Sequence, residues 1–149
     1  MKIQALMDEK LVFFNLSVAN QSELFETMSH SLHQYDIIVD ADAFINALNQ
    51  REQLSTTGLG YGIAIPHAKS DTVRQPTLAV AKLSTPIDYA SIDKDKVTVV
   101  FMIAMPKGKE DLYLQTLSML TRKMTDRAFI KSLKLTQNKV EFMEILKTI

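Results

Sequence analysis

The sequence predicts an α/β domain of three layers, a central mixed β-sheet covered by helices on both faces. Three observations carry this. Val97 to Met105, VTVVFMIAM, is an unbroken apolar run stopped by Pro106, as expected of a strand buried on both sides and central to its sheet. Thr77 to Leu83 is rich in small and β-branched apolar residues between Pro76 and Pro86, which suits a second strand. Segments with apolar residues at helical spacing precede and follow these strands, so the sheet is expected to lie between helices.

The helices follow in order. Asn20 with Glu23 three positions later reads as a capping box, and Leu24, Phe25, Met28 and Leu32 then share a face, giving a helix over about Gln21 to Gln34. Asp40 can cap a second helix carrying Phe44, Ile45 and Leu48, with polar Asn49 to Glu52 leading out of it. Beyond Gly108, the residues Leu112, Leu117, Leu120 and Met124 mark a third helix and Ala128 to Leu133 a short fourth. Asn138 with Glu141 caps the last, whose apolar stripe is Phe142, Ile145, Leu146 and Ile149. No repeat, low-complexity tract or linker divides the 149 residues, and one domain over 1–149 is expected.

Lys and Arg number 17 and Asp and Glu also 17, so no excess positive charge is available for counterion release from a nucleic acid, and none is expected as a partner. The absence of cysteine removes disulfides, thiolate nucleophiles and thiolate metal sites, and fits a reducing cytoplasm. No apolar run approaches the roughly 20 residues of a membrane helix, so membrane insertion is not expected and work from solution in the cytoplasm is. His30 and His33 lie three apart on the first helix without a further evident ligand, and read as partly exposed helix residues; no metal or cofactor is expected.

The chemistry concentrates in one segment. Three of the four glycines, Gly58, Gly60 and Gly62, fall within five residues, and the stretch ends in Pro66-His67. Glycine permits positive φ and close approach, while Pro66 biases Ile65 toward extended backbone, so a strand end presenting His67 in one direction is expected. Neither a dinucleotide fingerprint, which needs Gly at position 63 where Ile63 stands, nor a phosphate loop ending in Gly-Lys-Ser/Thr fits. Arg51, Ser55, Thr56 and Thr57 upstream are residue types suited to an anionic ligand. Arg51 could instead pair with Glu52 or stabilise the C-terminus of the second helix.

The run from Arg51 to Lys69, REQLSTTGLGYGIAIPHAK, resembles the active-site signature of the type 2 (mannitol/fructose) enzyme IIA family of the bacterial sugar phosphotransferase system, including its nitrogen-regulatory relatives. The similarity continues through Thr85-Pro86-Ile87 and Leu114-Gln115-Thr116-Leu117-Ser118 to the C-terminal helices. It implies the mannitol/fructose enzyme IIA fold and a relay in which phospho-HPr phosphorylates His67, which then passes the group to an enzyme IIB. The resemblance also implies Arg51 as the cation stabilising the phosphoryl group, and Thr56 and Thr57 are candidate hydroxyl donors to it. Relatives often carry a second active-site histidine opening the motif His-Leu-Gln-x-Leu; here that position is Tyr113, which can donate a hydrogen bond but carries no positive charge. A nitrogen-branch regulator, acting through phosphorylation-dependent protein binding, is the alternative implied by the same family. Either role requires an imidazole that is neutral near pH 7 and within reach of a partner's phosphate.

Overall fold

The computed structural model describes residues 2–149. Among them, strand β1 (Val12–Leu16) follows two short 3₁₀ turns, and helices α1 (Gln21–Gln34) and α2 (Ala41–Leu54) come next. Three short strands follow, β2 (Gly58–Gly60), β3 (Ile63–Ala64) and β4 (His67–Lys69), then the long strands β5 (Thr77–Ile87) and β6 (Val97–Met105). Helices α3 (Glu110–Lys123), α4 (Arg127–Leu135) and α5 (Lys139–Leu146) complete the chain.

The strands form one mixed sheet ordered β1-β5-β6-β3-β2, with β4 also paired to β6. The apolar run of β6 is its centre: β5 lies antiparallel on one side, and β3 and β4 lie parallel on the other. Side chains alternate along these strands, as the pleat requires. Ala79, Ala81, Val100, Met102 and Ala104 pack with Leu24, Phe25 and Met28 of α1 and Phe44 and Leu48 of α2. Leu78, Val80, Phe101, Ile103 and Met105 pack with Leu120 of α3, Ile130 and Leu133 of α4, and Phe142 and Leu146 of α5. The expected three layers are therefore present.

Local chemistry sets the helix starts. The side chains of Asn20, Asp40, Asp126 and Asn138 accept the backbone N–H three residues on, at 2.9, 3.0, 3.1 and 2.9 Å, each cap contributing about 1 kcal/mol. Two features depart from the expectation. Strand β5 continues past Leu83 through Pro86 to Ile87, across a shift in its pairing with β6. Strand β1 was not anticipated: it is a short edge strand, bulged where Asn15 takes φ 60°, and of its five residues only Val12 is buried, which leaves little alternation to read.

Candidate functional site

His67 opens β4 and lies opposite Ile103 of the central strand. Its neighbour Ala68 belongs to the layer of α1 and α2, so strand alternation turns the imidazole to the other face. There the ring of Tyr113, in the first turn of α3, meets it edge-on with centroids 5.7 Å apart. Arg51 reaches the ring from the last turn of α2.

The two ring nitrogens have different partners. Nδ1 is 2.7 Å from the carbonyl oxygen of Ile65, which can only accept, so Nδ1 carries the hydrogen. Arg51 Nε donates to Nε2 at 3.1 Å, and because a guanidinium can only donate, Nε2 must hold a lone pair. Two independent contacts thus select the same neutral tautomer and leave Nε2 as the nucleophilic atom. Burial holds the His67 pKa below its ordinary 6.5; the Arg51 charge lowers it further, while the Ile65 carbonyl and Glu52 oppose the shift. The neutral form therefore prevails near pH 7.

The ring is less open than the sequence reading expects. His67 is 6 % exposed, and its one free lone pair is engaged by Arg51. That side chain is itself half-buried and donates through Nη1 to the carbonyl of Ser55 at 2.9 Å, in an exposed turn. Access to Nε2 consequently passes through displacement of Arg51. The same arginine also satisfies a carbonyl at the end of α2, so it serves the helix terminus as well as the histidine.

Thr56 and Thr57 are placed differently from Arg51. The Thr57 hydroxyl donates to Glu52 Oε1 at 2.6 Å and lies 2.8 Å from the Tyr89 hydroxyl, and the residue is 2 % exposed. Its oxygen is committed to the interior rather than turned to an incoming phosphate. The Thr56 hydroxyl accepts from Gly58 N–H at 3.1 Å and donates to the Tyr89 carbonyl at 3.4 Å, closing the turn into β2. Tyr113 keeps its place beside the imidazole, and burial raises its phenol to about 12, so it stands there as a neutral donor. The sequence reading missed Glu52 and Tyr89. An acid next to the motif arginine was the available signal for Glu52; Tyr89, 22 residues beyond His67, gave none.

The glycines do not cradle the ring. Gly60, Tyr61 and Gly62 take φ values of 104, 57 and 80° and turn the chain between β2 and β3. A Cβ on Gly58 would lie 2.3 Å from Ser91 Oγ, so this glycine is required by close packing on the segment before β6. The run thus builds the hairpin that leads β3 and Pro66 up to His67, and acts on the imidazole at one remove. Among the described residues, no group of three or more His, Asp or Glu is placed to hold a metal ion, and no helix is long and apolar enough to cross a membrane.

Residues 5–149 match the model of the family described as phosphoenolpyruvate-dependent sugar phosphotransferase system, EIIA 2. The fructose-specific EIIA component of Haloferax volcanii is 37% identical over 107 residues, 72% of this chain and 70% of the relative. The crystal structure of nitrogen regulatory protein IIA-Ntr from Neisseria meningitidis superposes with a TM-score of 0.88 at 26% identity, over 97% of this chain and 98% of that one. The same fold occurs in the IIAMtl chain of the Escherichia coli complex of enzyme IIAMtl with phosphorylated enzyme IIBMtl, with a TM-score of 0.80 at 21% identity over 97% of this chain and 100% of the other.

Proposed function

Since this chain belongs to the EIIA 2 family of the phosphoenolpyruvate-dependent sugar phosphotransferase system, we propose that residues 1–149 form one cytoplasmic phosphocarrier domain, which accepts a phosphoryl group from phospho-HPr on His67 and passes it to an enzyme IIB serving a fructose- or mannitol-type sugar. The observation that carries the proposal is the paired restraint on His67: Nδ1–H bonded to the Ile65 carbonyl and a lone pair at Nε2 facing Arg51.

The reaction makes few demands that these residues cannot meet. Nε2 attacks phosphorus in line, the bond from phosphorus to the donor breaks, and an Nε2–P bond forms while Nδ1 keeps its hydrogen. The ring gains positive charge in that step, and the Ile65 carbonyl, already accepting from Nδ1, stabilises it. The guanidinium of Arg51, released from Nε2 as that lone pair is consumed, gains the equatorial phosphoryl oxygens as acceptors, which it can bind bidentately. Transfer onward reverses the sequence toward the IIB acceptor. An E. coli protein of the same fold is known in complex with its phosphorylated IIB, which supports an equivalent partner here. Exposed Leu54, beside the end of α2, and exposed Leu114, next to Tyr113, give the surroundings of the site apolar area for short-lived docking, of a kind that often buries less than about 1,200 Å².

The test is incubation of the chain with enzyme I, HPr and phosphoenolpyruvate, with mass mapping of the label, against His67→Ala. Label on the His67 peptide that is lost in the variant supports the proposal; label that persists, or that never forms on the wild type, removes it. The likeness to IIA-Ntr over nearly the full length of both chains favours one second reading, a nitrogen-branch regulator in which the added charge of nearly two units at pH 7 alters protein binding. A phosphorylated chain that discharges to no IIB domain, but changes affinity for a protein partner, would select it.

A further inference from the structure

Arg51 and Glu52 are consecutive in the last turn of α2, yet their side chains diverge. Arg51 goes to His67, while Glu52 turns to the start of β2, where its Oε2 accepts the Thr57 N–H at 2.7 Å. The Thr57 carbonyl accepts the Ile65 N–H at 3.0 Å, the Ile65 carbonyl accepts the His67 Nδ1–H at 2.7 Å, and His67 Nε2 accepts from Arg51 at 3.1 Å. The contacts therefore close on themselves: Glu52, Thr57, Ile65, His67, Arg51 and back along the helix to Glu52.

We propose that Glu52 is the positioning residue of this closed circuit, clamping the end of α2 to the hairpin so that Arg51 and the His67 ring are held in register for transfer. The proposal rests on the reading of His67 as the phosphoacceptor. Every hydrogen bond in the circuit has a fixed direction, because backbone N–H and guanidinium can only donate and carboxylate and carbonyl can only accept. A second set of contacts holds the clamp shut: Glu52 Oε1 accepts the Thr57 hydroxyl at 2.6 Å and the Tyr89 hydroxyl at 3.2 Å. Thr57 and Tyr89 are 2 % and 3 % exposed, so water cannot readily take the place of the carboxylate, and its removal leaves buried donors unpaired. The segment from Thr57 to Ile65 would then be free to shift relative to α2, and both restraints on the imidazole would loosen together. A displacement of about 1 Å at a reacting group can cost about a hundredfold in rate.

The test uses the full chain with 15N-labelled imidazoles, reading the tautomer of His67 by NMR and, separately, the kinetics of phosphorylation by phospho-HPr. Wild type is expected to show the Nδ1–H tautomer alone. Glu52→Ala is expected to show a mixture of tautomers and a kcat lower by about ten- to a hundredfold, with the KM for phospho-HPr changed less than about twofold, since no docking surface is touched. Glu52→Gln keeps an oxygen for the Thr57 N–H and is expected to rescue the single tautomer and most of the rate. A folded Glu52→Ala that retains one tautomer and wild-type kcat overturns the proposal. Should that variant not fold, Glu52→Asp, whose carboxylate is one methylene shorter and withdrawn from the Thr57 N–H, is read in the same way, with an unchanged tautomer and rate counting against the clamp. A wild-type chain that takes up no phosphate would defeat the phosphocarrier reading, whereas the tautomer measurement still decides what Glu52 does.

Discussion

Arg51 Nε and His67 Nε2 are 3.1 Å apart, and the lone pair in that contact is the one the imidazole needs for attack. The arginine is therefore both a mask on the resting nucleophile and the nearest cation to a phosphoryl group placed on it. These two roles separate in a single variant. In Arg51→Ala, acylation of His67 by diethyl pyrocarbonate is expected to accelerate about tenfold, the amount by which one charge-assisted hydrogen bond holds the lone pair. Phosphoryl transfer should slow by about a hundredfold, as when a preorganised donor to a developing anion is removed. Arg51→Lys should recover little of that loss, because an ammonium lacks the fork that matches phosphate oxygens. If both rates move in the same direction, the masking role is wrong.

The pH dependence has a definite sign. Burial, with Arg51 as the second cause of lowering, puts the folded pKa of His67 below 6.5, so the nucleophilic form predominates at pH 7 and transfer should fall on the acid side of 6.5. Folding responds in the same direction. The unfolded chain binds a proton at His67 before the folded chain does, so stability is full above 6.5, declines as pH drops below it, and levels off under the folded pKa. Removing Arg51 takes away one lowering influence and should move the NMR titration of His67 upward. A downward movement would show that the guanidinium is not facing the ring.

How much of this was legible in the sequence depends on whether the determinant was local. Three of the four side-chain caps, Asn20, Asp40 and Asn138, and the limits of β6 were readable because a cap needs only three residues of context and a doubly covered strand writes a continuous apolar run; the Asp126 cap was found only in the structure. β1 was not, since an edge strand with a bulge at Asn15 leaves almost no periodic signal. At the site, Arg51, His67 and Tyr113 could be named from the motif, and the structure brings their side chains together. Thr57 was named for its hydroxyl, yet that hydroxyl faces Glu52 and Tyr89. One of those partners, Glu52, lies five positions back, but the other, Tyr89, is 32 positions away, and no local pattern encodes that contact. The burial of His67 was equally invisible, because side chains from two separate helices, Arg51 of α2 and Tyr113 of α3, meet its ring.

Tyr113 tests what the edge-on contact contributes. Its phenol, raised to about 12, stays protonated at any pH where the protein works, so it cannot supply charge to the transfer. Aromatic pairs in this geometry contribute about 0.5–1.5 kcal/mol, and Phe preserves the ring. Tyr113→Phe is accordingly expected to keep phosphoryl transfer within about threefold and the melting temperature within a few degrees. A loss beyond about tenfold in kcat would instead make the hydroxyl a direct donor to the phosphoryl group.

The hairpin glycines allow a prediction about which part of the signature is structural. At Gly58 an added Cβ would meet Ser91 Oγ at 2.3 Å and the Ser91 Cα at 3.0 Å, and the second of these is backbone that cannot rotate aside. At Gly108, before α3, a Cβ meets nothing within 4 Å, although φ is +89°. Alanine at Gly108 should therefore cost only backbone strain, about 1 kcal/mol, whereas Gly58→Ala must move Ser91 or β2 and should cost about 1–3 kcal/mol. Because Thr57, the residue before Gly58, receives the Glu52 clamp, a shifted β2 should also disturb the Nδ1–H tautomer of His67, and Gly108→Ala should leave it untouched. Chemical denaturation with an imidazole NMR spectrum on each variant compares the two sites; equal stability losses, or a disturbed tautomer only in Gly108→Ala, would mean that the hairpin does not carry the position of the ring.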